Sequence, residues 1–244
     1  MLTHGHRNRS GSKGKNKAMA GAVVQLRGGL GNQLWQLSAA LVIGGGHVAA
    51  DVTRCSPYDA MHTRALHGFS THPQPGWQRL RPGYYQHLRY AAAPADVLRL
   101  VRPAAADTLP CVVHLRGSDY LHAGAYAATV PTAAVLRARV AALGVDDDAV
   151  QVVTDDPQLA ARLCPQWRCQ SSSLLQDFWT LCRAELLVMS SSSLSWWAAY
   201  CGQSRQVIFP RLWPVDFGAG VEDVTCAKSG QELVFDTARC LIHD

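Results

Sequence analysis

Several protein classes are excluded by what the sequence lacks. No uninterrupted apolar run approaches the roughly 18 residues of a membrane span, and the N-terminus has no apolar signal core. The eight cysteines form no CxxC pair and no regular Cys/His metal spacing. We therefore expect a soluble, unsecreted, cytoplasmic protein with free cysteines. A peripheral association with a membrane stays open.

Beyond residue 20 the chain also has no excess of charge of either sign. The net charge of +5 arises in residues 1–20, which hold five basic side chains and no acid; the remainder has 18 basic and 18 acidic residues. The Gly/Ser/Lys composition of residues 1–20 predicts a disordered basic tail. Because the rest of the chain shows no basic face, we expect no nucleic-acid partner.

The pattern of apolar residues predicts an α/β protein. A strand at 22–26 leads through a glycine loop into a helix whose leucines repeat at helical spacing until Gly44. Residues 47–80 predict only short elements, and a helix is expected around 95–101. The 244 residues, 48% of them hydrophobic, suit one large domain or two small ones.

The second half alternates between strands and helices. Strands are expected at 111–115, 150–154, 186–189 and 207–209, and helices at 131–143, 158–163, 175–183 and 193–201, with Pro131 in a first turn and Gly144 as a stop. Such βαβ units predict a parallel sheet covered on both faces. We divide the chain into a tail (1–20), a first domain (21–106) and a second, Rossmann-like domain (107–244).

Four polar loops follow predicted strands, and ligands bind at the carboxyl ends of parallel strands. The loops read RGGLGNQ, RGSDY, TDDP and SSSSLS, and we expect them to face one cleft. The glycine loop suits close approach to a phosphate, or is only a structural turn. It lacks the Gly-Lys-Ser/Thr of a P-loop, and Leu34 stands where a dinucleotide-binding loop has its third glycine.

The other three loops allow a functional and a structural interpretation each. Arg116 can clamp a diphosphate or pair with Asp119. The serines can hold phosphate oxygens at a helix N-terminus, with Trp196 and Trp197 packed behind them. Asp155 or Asp156 can accept hydrogen bonds from a base or ribose, or cap the helix at Pro157.

Two further patterns argue for structural roles. His114 lies within a strand, where a satisfied core histidine is the favoured interpretation over a catalytic base. The single Asp-x-Asp, within residues 146–148, lies between a helix stop and a strand and predicts a solvated turn. We therefore expect no metal and no cofactor.

Six collinear segments together resemble the alpha-1,2-fucosyltransferases, glycosyltransferase family eleven. They span residues 22–213 and read GGLGNQLWQLSAA, GYYQ, VVHLRGSDY, VVTDDP, LCRAELLVMSSSSLSWWAAY and VIFPRLW. The resemblance implies a GT-B-like fold of two Rossmann-like domains with parallel sheets facing across a cleft. It also implies metal-independent, inverting transfer from GDP-fucose, bound mainly by the second domain, to a glycan acceptor bound on the first-domain side, often at galactose.

The resemblance also implies roles for individual residues. Arg116, Asp119 and Asn32 would be catalytic: Arg116 clamps the diphosphate, Asn32 faces the diphosphate or acceptor, and Asp119 acts as general base or orients its loop. The substrate-binding residues would be Gly29, Gly31, Gln33, His114, Tyr120, Asp155, Asp156, Ser191, Ser192 and Ser193.

The chain departs from the family pattern at several places. Gly117 replaces a second arginine, Ser118 a glycine and Ser191 an asparagine, and residues 47–81 are much shorter than the usual acceptor-side region. Three alternatives stay open: a transferase using another GDP-sugar, a non-catalytic nucleotide-sugar or glycan-binding relative, and an NAD-type oxidoreductase.

Overall fold

The structure, a computed structural model, describes residues 21–211, 213 and 230–243. The tail predicted for residues 1–20 lies outside them. The described chain forms two separate sheets, and within each sheet every neighbouring pair of strands is parallel. The predicted class, α/β with parallel sheets, is confirmed.

The first sheet has three strands in the order β2-β1-β3. Its region contains β1 (Ala22–Gln25), α1 (Leu30–Ile43), β2 (Val48–Asp51), α2 (Pro57–Thr63), β3 (Gln78–Arg79) and α3 (Pro94–Leu98). The strand and helix predicted on either side of the glycine loop are therefore present. The helix expected around 95–101 is shorter and ends at Leu98.

The second sheet has six strands. Its region contains β4 (Leu109–Leu115), α4 (Ala133–Ala141), β5 (Val150–Thr154), α5 (Pro157–Leu163), β6 (Arg168–Gln170), α6 (Leu174–Cys182), β7 (Ala184–Val188), α7 (Ser193–Cys201), β8 (Gln206–Pro210) and β9 (Cys240–His243). Thr132 caps α4, so Pro131 precedes the cap and is not in the first turn.

The strand order of this sheet, β6-β5-β4-β7-β8-β9, is that of a Rossmann fold. The chain adds strands in one direction from β4 to β6 and then returns to place β7 on the other side of β4. The two loops that leave β4 and β7 therefore diverge to opposite faces of the sheet. The crevice between such loops is where ligands bind in open α/β sheets.

One hydrophobic cluster connects the two sheets. It includes Leu34 and Trp35 of α1 together with Leu187 of β7 and Trp196 and Trp197 of α7. The Trp35 ring lies 4.2 Å from the Trp196 ring and 4.6 Å from the Trp197 ring, centroid to centroid. All three tryptophans are fully buried, which confirms the prediction that the paired tryptophans are core. A second cluster fills the opposite face of the six-stranded sheet.

Candidate functional site

The glycine loop, the loop after β4 and the serine loop after β7 line one cleft. It encloses about 790 Å³ of empty space, its open mouth included. Most of the predicted site residues line it: Gly29, Gly31, Asn32, Arg116, Asp119, Tyr120, Ser191, Ser192 and Ser193. Gln33, His114, Asp155 and Asp156 are not among its lining residues.

The glycine loop is held from behind by α2. Asp59 accepts a hydrogen bond from the Gly28 N–H at 2.6 Å, and Gly28 has the left-handed φ of 75° that favours glycine. The fully buried Gln33 side chain donates to the carbonyl oxygens of Gly28 and Asp59, and its Oε1 accepts from Thr63. Gln33 therefore positions the loop from inside the protein.

The N-termini of α1 and α7 meet at Gly31. A Cβ placed on Gly31 would lie 2.4 Å from the Leu194 nitrogen and 2.5 Å from the Ser193 Oγ, so only glycine permits this approach. Beside it, Asn32 Oδ1 accepts hydrogen bonds from Ser193 Oγ at 2.9 Å and Gln86 Nε2 at 2.8 Å. The Asn32 amino group is the part of this side chain left for a ligand.

The serine hydroxyls serve mainly to shape their own loop. Ser192 caps α7 by accepting from the Leu194 N–H, and Ser195 donates to the carbonyl oxygens of Ser190 and Ser192. The Ser190 hydroxyl lies 2.7 Å from His114 Nδ1. Ser192, Ser193 and Leu194 line the cleft, so this loop brings the N-terminus of α7 to it, where the first N–H groups have no carbonyl partner within the helix and that of Leu194 is bonded to Ser192.

Arg116 reaches the cleft already paired with two carboxylates. Its guanidinium lies 2.8 Å from Asp119 Oδ1 and 2.9 Å from Asp155 Oδ2, and the side chain is 26% exposed. Burial disfavours the charged form, but Asp155 and Asp119 outweigh it and raise the pKa of Arg116. Of the two alternatives in the sequence the structure shows the ion pair, on a guanidinium that also lines the cleft.

The two aspartates after β5 have separate structural tasks. Asp156 caps α5 by accepting from the Leu159 N–H at 2.9 Å. Asp155 accepts from the Gly117 N–H at 2.8 Å in addition to holding Arg116. The prediction left base or ribose binding and helix capping open, and the structure places Asp156 as a cap.

Gly117, at the position of the family's second arginine, has no room for a side chain. A Cβ there would lie 2.7 Å from the Asp156 Cβ and 2.8 Å from Leu159 Cδ2. Ser118 follows with a φ of 22°, in the left-handed region where the family has glycine. At Gly117 the loop after β4 therefore packs closely against the N-terminal part of α5.

His114 is buried behind the serine loop, 5% exposed. Burial lowers the pKa of His114 to about 4, with a further lowering by Arg116 that Asp155 opposes. It is a neutral histidine bonded to Ser190, in agreement with the favoured sequence interpretation. Tyr120 donates to the Ser191 carbonyl oxygen at 3.1 Å and so joins the loops after β4 and β7.

Sequence reasoning missed nine of the lining residues, and Tyr58, His62 and Gln86 are among them. Tyr58 and His62 lie on α2, in a region where the apolar pattern was too weak to place a helix. A signal was present, however, because Ser56 and Asp59 form a capping box around Pro57. Gln86 is the last residue of the GYYQ segment and bonds Asn32.

Groups that can bind an anion line the cleft, where Arg116 is also paired with Asp119. Two helix N-termini, the Asn32 amino group and the Arg116 guanidinium all present donors or positive charge to it. Among the described residues, no three His, Cys, Asp or Glu side chains are grouped so as to hold a metal ion. In the same part of the chain, no helix is both long and apolar enough to cross a membrane.

Comparison with known proteins gives one weak structural likeness. No protein-family model matches the sequence, and no curated protein is similar to it. Among solved structures, the chain is similar to TibC, described as a bacterial iron-containing dodecameric glycosyltransferase from enterotoxigenic E. coli H10407, with 11% identity and a TM-score of 0.42. The match covers 78% of this chain and 58% of TibC, so the chain spans less than two thirds of that protein's length.

Proposed function

We propose that this protein is an inverting, metal-independent glycosyltransferase that moves fucose from GDP-fucose to a glycan hydroxyl, in alpha-1,2 linkage to galactose. The observation that carries the proposal is the meeting of the N-termini of α1 and α7 with Arg116 in one cleft at the switch point of the six-stranded sheet. This arrangement suits a diphosphate. The choice of GDP and of fucose rests on the six-segment resemblance alone.

The proposed chemistry uses these groups to stabilise a leaving diphosphate. As the bond between the anomeric carbon and the phosphate oxygen breaks, negative charge grows on GDP and positive charge on the sugar ring. Donors fixed in advance at the point where charge develops give the largest catalytic effect in most enzymes. Arg116 and the helix N-termini can serve in this way without a metal ion.

Donor binding is expected to rearrange the ion pairs of Arg116. Asp119 is 60% exposed and Asp155 is 26% exposed, so Asp119 can leave the guanidinium at lower cost. A diphosphate would then replace Asp119 while Asp155 continues to hold Arg116 in place. An aspartate that exchanges with the donor in this way is a poor general base, and we assign Asp119 to pairing with Arg116 until the donor binds.

Thermal unfolding with candidate donors tests the proposal. GDP, GDP-fucose, GDP-mannose, UDP-sugars and NAD are each added with and without EDTA. At 100 times its dissociation constant a ligand adds about 2.7 kcal/mol, a shift of roughly 5–10 °C for a chain of this size. We expect a chelator-insensitive shift with GDP and GDP-fucose, followed by fucose transfer in a screen of galactose-terminated acceptors.

The other outcomes decide between the alternatives. If GDP-mannose shifts the unfolding temperature and GDP-fucose and the UDP-sugars do not, the donor is a GDP-sugar other than GDP-fucose. Binding of GDP-fucose without transfer to any acceptor would leave a non-catalytic binding protein. A response to NAD and none to GDP would favour an oxidoreductase, and no response to any nucleotide would contradict the proposal.

A further inference from the structure

His62 has the one imidazole among the cleft-lining residues described, and neither of its nitrogens has a hydrogen-bond partner. It lies in the last turn of α2 and is 8% exposed. A buried polar group without a partner destabilises a protein, so such groups are rare unless they serve a function. His114, by contrast, is buried with its nitrogen bonded to Ser190.

The surroundings of His62 keep it neutral near pH 7. Burial lowers its pKa, Arg116 lowers it further, and Asp59 on the same helix opposes the change. The other titratable group against it is Tyr58, whose ring meets the imidazole edge-on at 4.5 Å between centroids. A neutral imidazole with a free nitrogen is able to accept a proton.

His62 and Arg116 enter the cleft from different sheet regions. His62 projects from the first-sheet region beside Gly29, with its Cε1 3.9 Å from where a Gly29 Cβ would lie. Arg116, from the second sheet, lines the same cleft. Tyr58, which is 48% exposed, packs against the imidazole, and the role proposed below requires the Tyr58 side chain to rotate so that a ligand can reach His62.

We propose that His62 is the general base that activates the acceptor hydroxyl, a role that rests on the transferase function proposed above. An imidazole nitrogen takes the proton of the hydroxyl while the oxygen forms its bond to the anomeric carbon. The bond from that carbon to the diphosphate oxygen breaks, and its electron pair leaves with GDP. The imidazolium then returns its proton to solvent.

His62→Phe and His62→Gln test the role, with His72→Gln as the matched control. Phe keeps a ring and removes the unpaired nitrogens, so the variant is expected to unfold at the same or a higher temperature than the wild type. Gln keeps hydrogen-bonding capacity but cannot take up a proton. His72 is exposed and is not among the cleft-lining residues, so its variant reports the effect of removing a histidine elsewhere.

Both His62 variants should keep the thermal shift with GDP and lose turnover by about 100- to 10,000-fold, the usual contribution of a general base. In the wild type, kcat/KM should fall as the pH drops through the pKa of His62, which lies below 6.5, and the His62 variants should lack this acidic limb. The control should match the wild type. Turnover of either His62 variant within tenfold of wild type would overturn the proposal.

A measurement that needs no turnover, the pKa of His62 with and without GDP, tests this proposal separately from the proposed transferase function. In NMR titrations of labelled histidine, assigned by the signal missing from His62→Phe, bound GDP should raise the pKa of His62 because the diphosphate is negative. An unchanged pKa with GDP bound would overturn the role of His62 and leave donor binding standing. A wild type that neither binds nor transfers any nucleotide sugar would overturn both proposals.

Discussion

The guanidinium of Arg116 is fixed in position by an ion pair and also lines the cleft, where a ligand can reach it. Asp155 fixes it from the sheet side, and its remaining partner Asp119 is exposed. We expect Arg116→Ala to lower turnover by about 100- to 1,000-fold, because one donor to a developing charge is worth roughly 3–4 kcal/mol.

Steady-state kinetics with GDP-fucose would check this, with Arg162→Ala as the control. Arg162 is exposed on α5 and does not line the cleft. The control should have wild-type turnover. If Arg116→Ala retained activity within a few-fold of the control, Arg116 would be only a structural ion pair.

His114 should make the free energy of unfolding depend on pH. Its pKa of about 4 in the folded protein lies below the ordinary 6.5, so the unfolded state binds the proton more readily. The stability that depends on a neutral His114 is fully present above pH 6.5 and is lost as the pH falls towards 4. By pH 5 the free energy of unfolding has fallen by about 2 kcal/mol for this reason.

Urea unfolding at pH 7 and pH 5 measures this loss. His114→Gln cannot titrate, so its stability should fall by about 2 kcal/mol less than that of the wild type over the same interval. Equal losses in the two proteins would show that His114 is not held neutral in the fold.

At the scale of elements, Gly31 decides how closely α1 and α7 approach. The Cβ of an alanine would meet the backbone of Ser193 and Leu194 at 2.4 Å, and backbone cannot rotate away as a side chain can. We expect Gly31→Ala to destabilise the protein by about 1–3 kcal/mol, the usual cost of overpacking.

Gly29→Ala is the matched control for a stability measurement. Its Cβ would meet the Tyr58 hydroxyl at 3.3 Å and the His62 ring at 3.9 Å, and its φ of −65° suits any residue. Thermal unfolding should show a loss of roughly 2–10 °C for Gly31→Ala and little change for the control. Similar losses for both would mean that α7 tolerates a shift.

The elements predicted from sequence are those with strong periodicity and buried faces. β5 and α7 have the predicted bounds because their apolar residues and flanking polar residues are unambiguous. β6 and β9 were not predicted, since they are edge strands of three and four residues with several exposed side chains. Short edge strands are fixed by their neighbours, which sequence periodicity does not show.

For the candidate site too, sequence patterns predicted some features and not others. Local patterns predicted the three loops that line the cleft, because each follows a strong strand. They could not predict that Gln33 and the serine hydroxyls bond within the protein, nor that Tyr58 and His62 face Arg116. Those facts depend on contacts between segments far apart in sequence, as in the bond from Ser193 to Asn32.

At the scale of the whole molecule, the two sheets share one interior. The cluster around Trp35, Trp196 and Trp197 contains residues from α1, β7 and α7, so neither sheet region buries its apolar surface alone. The same contact holds the two helix N-termini at the cleft. The geometry of the site therefore depends on the core that joins the sheets.

We accordingly expect the described chain to unfold in a single cooperative transition, and Trp35→Ala to lower the midpoint of that transition. Removing a buried tryptophan costs about 3–5 kcal/mol, or roughly 6–20 °C at 2–4 °C for each kcal/mol. Far-UV circular dichroism, which follows the helices of both regions, and tryptophan fluorescence, which follows the burial of the tryptophans in both clusters, should give coincident curves for the wild type and for the variant.

Trp167→Ala is the control for a tryptophan in the other cluster. Trp167 packs in the core of the six-stranded sheet, away from α1, and donates to Asp147 at 2.6 Å. If the molecule unfolds as one unit, this variant lowers the same single midpoint. Two separate transitions, with Trp35→Ala shifting one and Trp167→Ala the other, would show instead that the sheets unfold independently and that the shared cluster is only a docking surface between two domains.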